Sequence, residues 1–349
     1  MSKTPIFVGA LRDHAERLEE LADGAPLPVI TDAHIWRLHG KALEDLLPVD
    51  PIIVTRGEAA KSWTELETLL HALTARNHPR QRPVVAFGGG SVGDLAGLAA
   101  SLYRRGCPVI QLPTTLLAQV DSAVGGKTAI DFAGRKNMVG TFHDPALVIA
   151  DPVYLTTLDP RAFRAGIAEI VKYGVIGDAE FFAALERGME ALASANLDTC
   201  ADAIRYCLAA KQYTVADDPR DQTGRRALLN FGHSFGHAIE AVAGLGELNH
   251  GEAVAVGMML AARYSAAVGH CDPAIVERLG QLLARADLPL RLSEVGLAGK
   301  GERLLDPMRG DKKNRDDRVT LILLRAIGDA FVSPDVEPDR LAAFLRDAG

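Results

Sequence analysis

Through the first half of the chain, short aliphatic and β-branched runs alternate with stretches that repeat apolar residues every three to four positions. Residues 29–31, 52–55, 84–87 and 109–112 are predicted strands, and residues 12–21, 62–75 and 94–104 are predicted amphipathic helices. This alternation predicts a Rossmann-like α/β domain, a mostly parallel sheet with helices on both faces. Pro145, Pro152 and Pro160 then interrupt the pattern, and beyond them it is almost wholly helical: residues 161–173, 179–192, 201–215, 226–243, 252–268 and 274–286. A two-stranded ribbon, 319–324 with 330–332, turns at Ile327-Gly328-Asp329 before a last helix. The boundary is placed near Thr157, giving an α/β N-terminal domain (1–157) and a mostly α-helical C-terminal domain (158–349).

Composition narrows the function classes. Aromatic residues are only 5% of the 349, so the cores must be aliphatic. The net charge of -7 argues against a nucleic-acid surface, but a few local Lys and Arg suffice to receive a small anionic substrate. No apolar run approaches the ~18 residues of a membrane span. The N-terminal Met1-Ser2-Lys3-Thr4-Pro5 lacks the charged-then-apolar pattern of a secretion signal. Cys107, Cys200, Cys207 and Cys271 have no metal or redox spacing; Cys107 and Cys207 sit in apolar patterns and read as buried thiols. Together these features fit a reducing, cytoplasmic location.

Three segments carry chemistry. Gly88-Gly89-Gly90-Ser91-Val92-Gly93-Asp94 follows a strand and opens a helix, so its backbone N–H groups and the helix dipole can hold a phosphate; a tight strand–helix turn is the plainer explanation. Asp32, after another strand, can accept from a ribose or cap the helix that follows, and capping is the commoner role for that residue type. A second glycine loop, Asp121-Ser122-Ala123-Val124-Gly125-Gly126-Lys127-Thr128, with Lys136-Asn137 shortly after, puts lysines beside glycine turns, as phosphate contacts require. The densest signal is His233-Ser234-Phe235-Gly236-His237, followed by Asn249-His250-Gly251-Glu252. Histidines four apart share a helix face, and the glycines at 244 and 246 let a third return, an arrangement that suits a divalent metal of the zinc type.

Taken together, the motifs resemble the 3-dehydroquinate synthase family of sugar-phosphate cyclases. The likeness runs from Gly57-Glu58 to Asp311-Lys312-Lys313. It includes the triple glycine, Pro113-Thr114-Thr115-Leu116-Leu117, the 120–128 loop, Ala168-Glu169-Ile170-Val171-Lys172-Tyr173-Gly174 and the histidine motif, in the family's order. The resemblance implies conversion of 3-deoxy-D-arabino-heptulosonate 7-phosphate to 3-dehydroquinate and phosphate in the shikimate pathway of aromatic amino-acid biosynthesis. The route is transient oxidation by NAD, β-elimination, reduction and an intramolecular aldol. It implies NAD as cofactor, one divalent metal (zinc or cobalt) and a homodimer. By the same resemblance the metal ligands are Glu169, His233 and His250, and His237 becomes a substrate contact. Substrate is further assigned to Asp121, Lys127, Asn137, Lys172, Lys211, Arg226, Asn230 and Lys313, and Arg105 to the substrate phosphate of the neighbouring subunit. NAD is assigned to Asp32, Glu58, Lys61, Gly89, Gly90, Asp94, Thr114, Thr115, Lys136 and Thr157.

Departures from the family pattern define the alternatives. Ser91 replaces an apolar residue, as in metal-dependent polyol dehydrogenases, and Ala129-Ile130-Asp131 replaces the usual Gly-Val-Asn. The stretch between Lys211 and Arg226 is one residue long for the family. The alternatives are another sugar-phosphate cyclase, a polyol dehydrogenase, or a non-catalytic binding protein. Arg226, Asn230 and His237 favour the carboxylated substrate, and the complete ligand set argues against lost catalysis.

Overall fold

The structure is a computed structural model that describes residues 4–218, 226–244, 246–309 and 319–348. It divides into two compact units: 1–159 with 200–212, and 160–199 with 213–349.

The first unit contains, in chain order, β1 (Ile6–Val8), α1 (Ala15–Ala22), β2 (Leu27–Asp32), α2 (Ala33–Glu44), β3 (Val49–Val54), α3 (Trp63–Ala75), β4 (Val84–Gly88), α4 (Gly90–Leu102), β5 (Val109–Pro113), β6 (Lys127–Phe132), β7 (Arg135–Phe142) and β8 (Leu147–Ala150). Six strands form one parallel sheet in the order β1-β8-β5-β4-β2-β3. Alternate residues feed two cores. Val29, Val85, Phe87, Ile110 and Ile149 pack on one face, and Ile30, Val84, Ala86 and Val109 on the other. Burial on both faces is why these strands read as continuous apolar runs. After β2 the chain moves outward to β3, whereas after β4 it moves the opposite way to β5, so the strand order reverses between β2 and β4. In open α/β sheets, ligands bind at the carboxyl ends of the strands beside such a reversal.

The four strands expected from the sequence are present, each longer by one to three residues. Two further sheet strands, β1 and β8, are too short, at 3 and 4 residues, to carry a pattern of their own. The antiparallel hairpin β6–β7 was also missed. It pairs Lys127 with Phe142 and turns through Ala133 and Gly134, both at positive φ (51° and 73°), a two-residue turn that matches strand twist. The segment taken for a glycine loop with trailing lysines is therefore a turn leading into this hairpin.

The second unit contains α5 (Pro160–Gly177), α6 (Ala179–Ala193), the ends of α7 (Leu197–Asp217), α8 (His233–Ala243), α9 (His250–Ala267), α10 (Pro273–Arg285), α11 (Leu305–Arg309), the antiparallel pair β9 (Val319–Ala326) and β10 (Asp329–Val336), and α12 (Pro338–Ala348). The single helix expected over 226–243 is broken. Residues 226–230 form a 3-10 turn, and Gly232, at φ 80°, restarts the chain as α8 with His233 its first residue. Among the described residues no helix is long and apolar enough to cross a membrane. None of the four cysteines forms a disulfide. Burial pushes the Cys107 and Cys200 thiols up to about 11, which makes them packing residues.

Backbone approach sets the spacing of α5, α8 and α9. A Cβ at Gly251 would lie 1.9 Å from the Ala165 carbonyl oxygen on α5, and one at Gly257 would lie 2.1 Å from that of Gly232. Neither obstacle is a side-chain end that can swing away. Gly251→Ala should therefore push α9 off α5, costing about 3 kcal/mol, the upper range for overpacking, and lowering the melting temperature by roughly 6–10 °C. Gly188→Ala, inside α6 where a Cβ meets nothing, should melt slightly above the parent, since Ala favours a helix over Gly by about 1 kcal/mol. Thermal unfolding of the two variants checks this, and equal melting points would contradict it.

Candidate functional site

In the second unit, α5 presents Glu169 and Lys172 one turn apart, fully buried at 0% and 1% exposure. α8 and α9 each bring a histidine as their first residue, His233 and His250. Nε2 of both rings lies 3.6 Å from the same oxygen, Oε1 of Glu169, and Glu169 Oε2 ion-pairs with Lys172. Beyond these contacts neither Glu169 oxygen accepts a well-formed hydrogen bond from the described residues. These two separations are close to the edge of a coordination tetrahedron, about 3.4 Å for ligands about 2.05 Å from the ion, and one ligand atom from each of the three residues lies within 4.8 Å of the others.

The electrostatics follow from burial. Burial alone would raise the Glu169 carboxyl, but Lys172, His233 and His250 outweigh it and hold the group well below the usual carboxylate range. Burial drives His233 down to about 3, so it stays neutral with a lone pair available. Burial also pulls His250 down, but Glu169 and Glu240 more than compensate and raise it to about 9. Two helix N-termini therefore open beside a buried cation, an arrangement that favours anions.

The start of α9 is braced. Asn249 caps it, with the Glu252 side chain returning to the Asn249 N–H at 3.0 Å, a reciprocal capping box. Arg161 at the start of α5 grips Glu252 with two bonds of 2.5 and 2.8 Å. His237 lies one turn beyond His233 and is exposed, its ring centroid 5.5 Å from that of His233 and 6.0 Å from that of His250. Arg226 is buried, and Asn230 donates to the Ala227 carbonyl at 3.1 Å. Lys312 and Lys313 lie outside the described residues.

In the first unit, half of the ten residues expected around a nucleotide lie at the carboxyl ends of strands. Asp32 ends β2, Gly89 and Gly90 follow β4, and Thr114 and Thr115 follow β5. Asp32 is the N-cap of α2, accepting from the His34 and Ile35 N–H groups at 2.8 and 3.0 Å. Gly89 is the N-cap of α4 with no side-chain cap, so the first N–H groups of α4 have no side-chain acceptor at that end. A Cβ at Gly89 would come 3.1 Å from Thr115 Cγ2, and one at Gly90 2.9 Å from Ser122 Oγ.

Lys61 is buried and bonds Asp94 at 2.8 Å, with Glu58 at 3.6 Å and Asn137 also accepting. Burial opposes its charge, but Asp94 and Glu58 leave its pKa raised. Ser91, the departure noted in the sequence, donates to Glu58 Oε2 at 2.8 Å and so orients that carboxylate. Asp131, the other departure, accepts from the Asn137 N–H at 2.8 Å, where Asn137 sits at φ 55°. Lys211 is buried and holds Asp121 at 2.9 Å through the carboxylate and 2.7 Å through the carbonyl. Lys127 is exposed and Lys136 half-buried on the hairpin. Thr157 contacts His39 at 2.8 Å.

A family model described as 3-dehydroquinate synthase N-terminal matches residues 51–165, and one described as 3-dehydroquinate synthase C-terminal matches residues 166–314. The chain belongs to the 3-dehydroquinate synthase family. A 3-dehydroquinate synthase of Rhodopseudomonas palustris (strain BisB18) is 47% identical, over 97% of this chain and 92% of that protein. Among solved structures, 2-epi-5-epi-valiolone synthase from Streptomyces hygroscopicus, with NAD+ and Zn2+ bound, superposes with a TM-score of 0.90 at 31% identity, covering 100% of this chain and 97% of that one. A 2-deoxy-scyllo-inosose synthase complexed with carbaglucose-6-phosphate, NAD+ and Co2+ gives 0.83 at 27%, covering 98% and 96%.

Sequence reasoning missed Glu240. It is buried on α8, with Oε2 3.6 Å from His250 Nδ1. Its place three residues after His237 was the available signal.

Proposed function

We propose that this chain is a phosphate-eliminating carbon–oxygen lyase that turns 3-deoxy-D-arabino-heptulosonate 7-phosphate into 3-dehydroquinate and inorganic phosphate. The observation that carries the reading is the buried Glu169–His233–His250 group beside Lys172, in a chain of this family. Its three donors suit a divalent metal, zinc or cobalt, and the uncapped α4 N-terminus with its close glycines suits the pyrophosphate of NAD. When bound, NAD supplies a reversible hydride acceptor and the metal a Lewis acid for a substrate hydroxyl.

The protein's own groups bind and orient. In the first unit, Asp32, Glu58, Lys61, Gly89, Gly90, Asp94, Thr114, Thr115, Lys136 and Thr157 are the proposed cofactor contacts, and Asp121, Lys127, Asn137 and Lys211 the substrate contacts. The Lys211–Asp121 and Lys61–Asp94 pairs hold these side chains in place before any ligand arrives. In the second unit, Arg226, Asn230 and His237 are proposed for the substrate, the guanidinium offering a carboxylate a planar two-bond match. Lys172, paired with Glu169, offers a point charge there. Lys313 completes the set.

The deciding assay follows phosphate and NADH together, with the heptulosonate phosphate, NAD and zinc. Phosphate should exceed the NAD present many-fold while NADH stays flat. NADH accumulating in step with turnover would favour a dehydrogenase instead.

The ligand assignment predicts that Glu169→Ala, His233→Ala and His250→Ala purify without metal, while His237→Ala keeps it and loses activity. Metal content decides, and a metal-free His237→Ala beside a metal-loaded His250→Ala would reverse the assignment.

A two-fold homodimer with Arg105 reaching the partner's substrate phosphate is part of the proposal. Arg105 is exposed and held at φ 67°, directly after Arg104 at 49°, a costly backbone for two consecutive non-glycine residues and one typical of functional positions. Arg105→Ala and Lys127→Ala should each be nearly inactive. A mixed dimer then has one site with both defects and one with neither, so co-expression should restore activity toward one working site per heterodimer. Heterodimers as inactive as their parents would exclude a role across the interface.

A further inference from the structure

We infer that Glu240 is a positioning residue that fixes which nitrogen of His250 faces the metal; the inference rests on the metal-dependent reading above. An imidazole with a single proton binds a metal through one nitrogen only if the proton sits on the other. His250 lies between two carboxylates, with Nε2 3.6 Å from Glu169 Oε1 and Nδ1 3.6 Å from Glu240 Oε2. An ionised carboxylate only accepts, so Glu240 holds a proton on Nδ1, and the Nε2 proton that faces Glu169 is the one a metal would displace to reach the lone pair.

The other histidine is held in the same way by a different group. His233 Nδ1 lies 3.2 Å from the Phe231 carbonyl oxygen, which can only accept, so its Nε2 is the free nitrogen as well. The backbone thus orients one imidazole and a buried side chain the other. A carbonyl cannot easily be removed, but Glu240 can. It belongs to α8, seven residues after His233 and three after His237, on the face that meets the start of α9. Its side chain is only 7% exposed, so water competes little for the carboxylate. Carboxylate partners of this kind raise ligand basicity and fix ring orientation, and losing one costs about 10–100-fold in metal affinity.

The test compares zinc affinity of the full-length wild type, Glu240→Gln and Glu240→Ala by competition with a chromophoric chelator, together with zinc stoichiometry and the visible spectrum of the cobalt-loaded proteins. Glu240→Gln keeps size and an accepting oxygen, so its metal-free form should melt like the wild type even if Glu240→Ala folds poorly. The expected result is one zinc per chain throughout, affinity weakened about tenfold in Glu240→Gln and up to about 100-fold in Glu240→Ala, and an altered cobalt spectrum. Wild-type affinity and spectrum in both variants would overturn the inference while leaving the metal-dependent reading standing. Two zinc ions per wild-type chain, one of them lost in both Glu240→Gln and His237→Ala, would also overturn it, by making Glu240 a ligand. A wild type that retains no zinc would overturn both.

Discussion

The second unit is organised around the full burial of the Glu169 carboxylate. Taking an ionised carboxylate out of water costs several kcal/mol unless opposite charge and donors surround it. The sequence answers within one turn of α5 through Lys172, and from two other helices through His233 and His250. Those helices must come close enough to deliver their first residues, and they do so because Gly251 and Gly257 carry no side chain where backbone from α5 and from Gly232 passes. Tight packing and buried charge are thus two sides of one arrangement. The glycines permit the approach, and the carboxylate gives the approaching imidazoles something to meet.

The same arrangement explains how a chain of net charge -7 can serve an anionic sugar phosphate. The set of N–H donors to an anion is local. Lys172 and the N-termini of α8 and α9 supply it in the second unit. Lys61, Lys211 and the N-terminus of α4 supply it in the first, with both lysines pinned by aspartates. Partnered and buried lysines keep their geometry in the absence of ligand, and Lys127 stands exposed on its hairpin. Ser91 belongs to this scheme. Its hydroxyl steadies Glu58, which also faces Lys61.

Much of the fold was legible because its signals are local and repeated. The apolar runs at 29–31, 84–87 and 109–112 mark strands buried on both faces, and helical periodicity is unmistakable over 161–173 and 252–268. β1 and β8 were not legible, since a strand of three or four residues contains too few positions to show a period and exists only because the sheet offers it partners. The hairpin β6–β7 was obscured by polar residues on its open face, and its glycines drew attention to phosphate chemistry instead. At Gly232 local periodicity misled. The apolar spacing continues through 226–243, yet the chain breaks at Gly232, where both a φ of 80° and the closeness of Met258 and the Val254 carbonyl to any Cβ call for glycine.

By itself the sequence determined the fold class, the family and the residue types available for chemistry, since propensity, periodicity and motif order survive without knowledge of contacts. It also placed Glu169 and Lys172 on one helical face, because i and i+3 on a helix are neighbours whatever surrounds them. Only the tertiary structure decided that His233 and His250, 17 positions apart, aim at one carboxylate oxygen, and that His237 stands aside from it. It also decided that Glu240 stands behind His250. Those facts depend on where helices begin and how closely their backbones cross, quantities set by glycine contacts between distant segments and invisible to any local pattern.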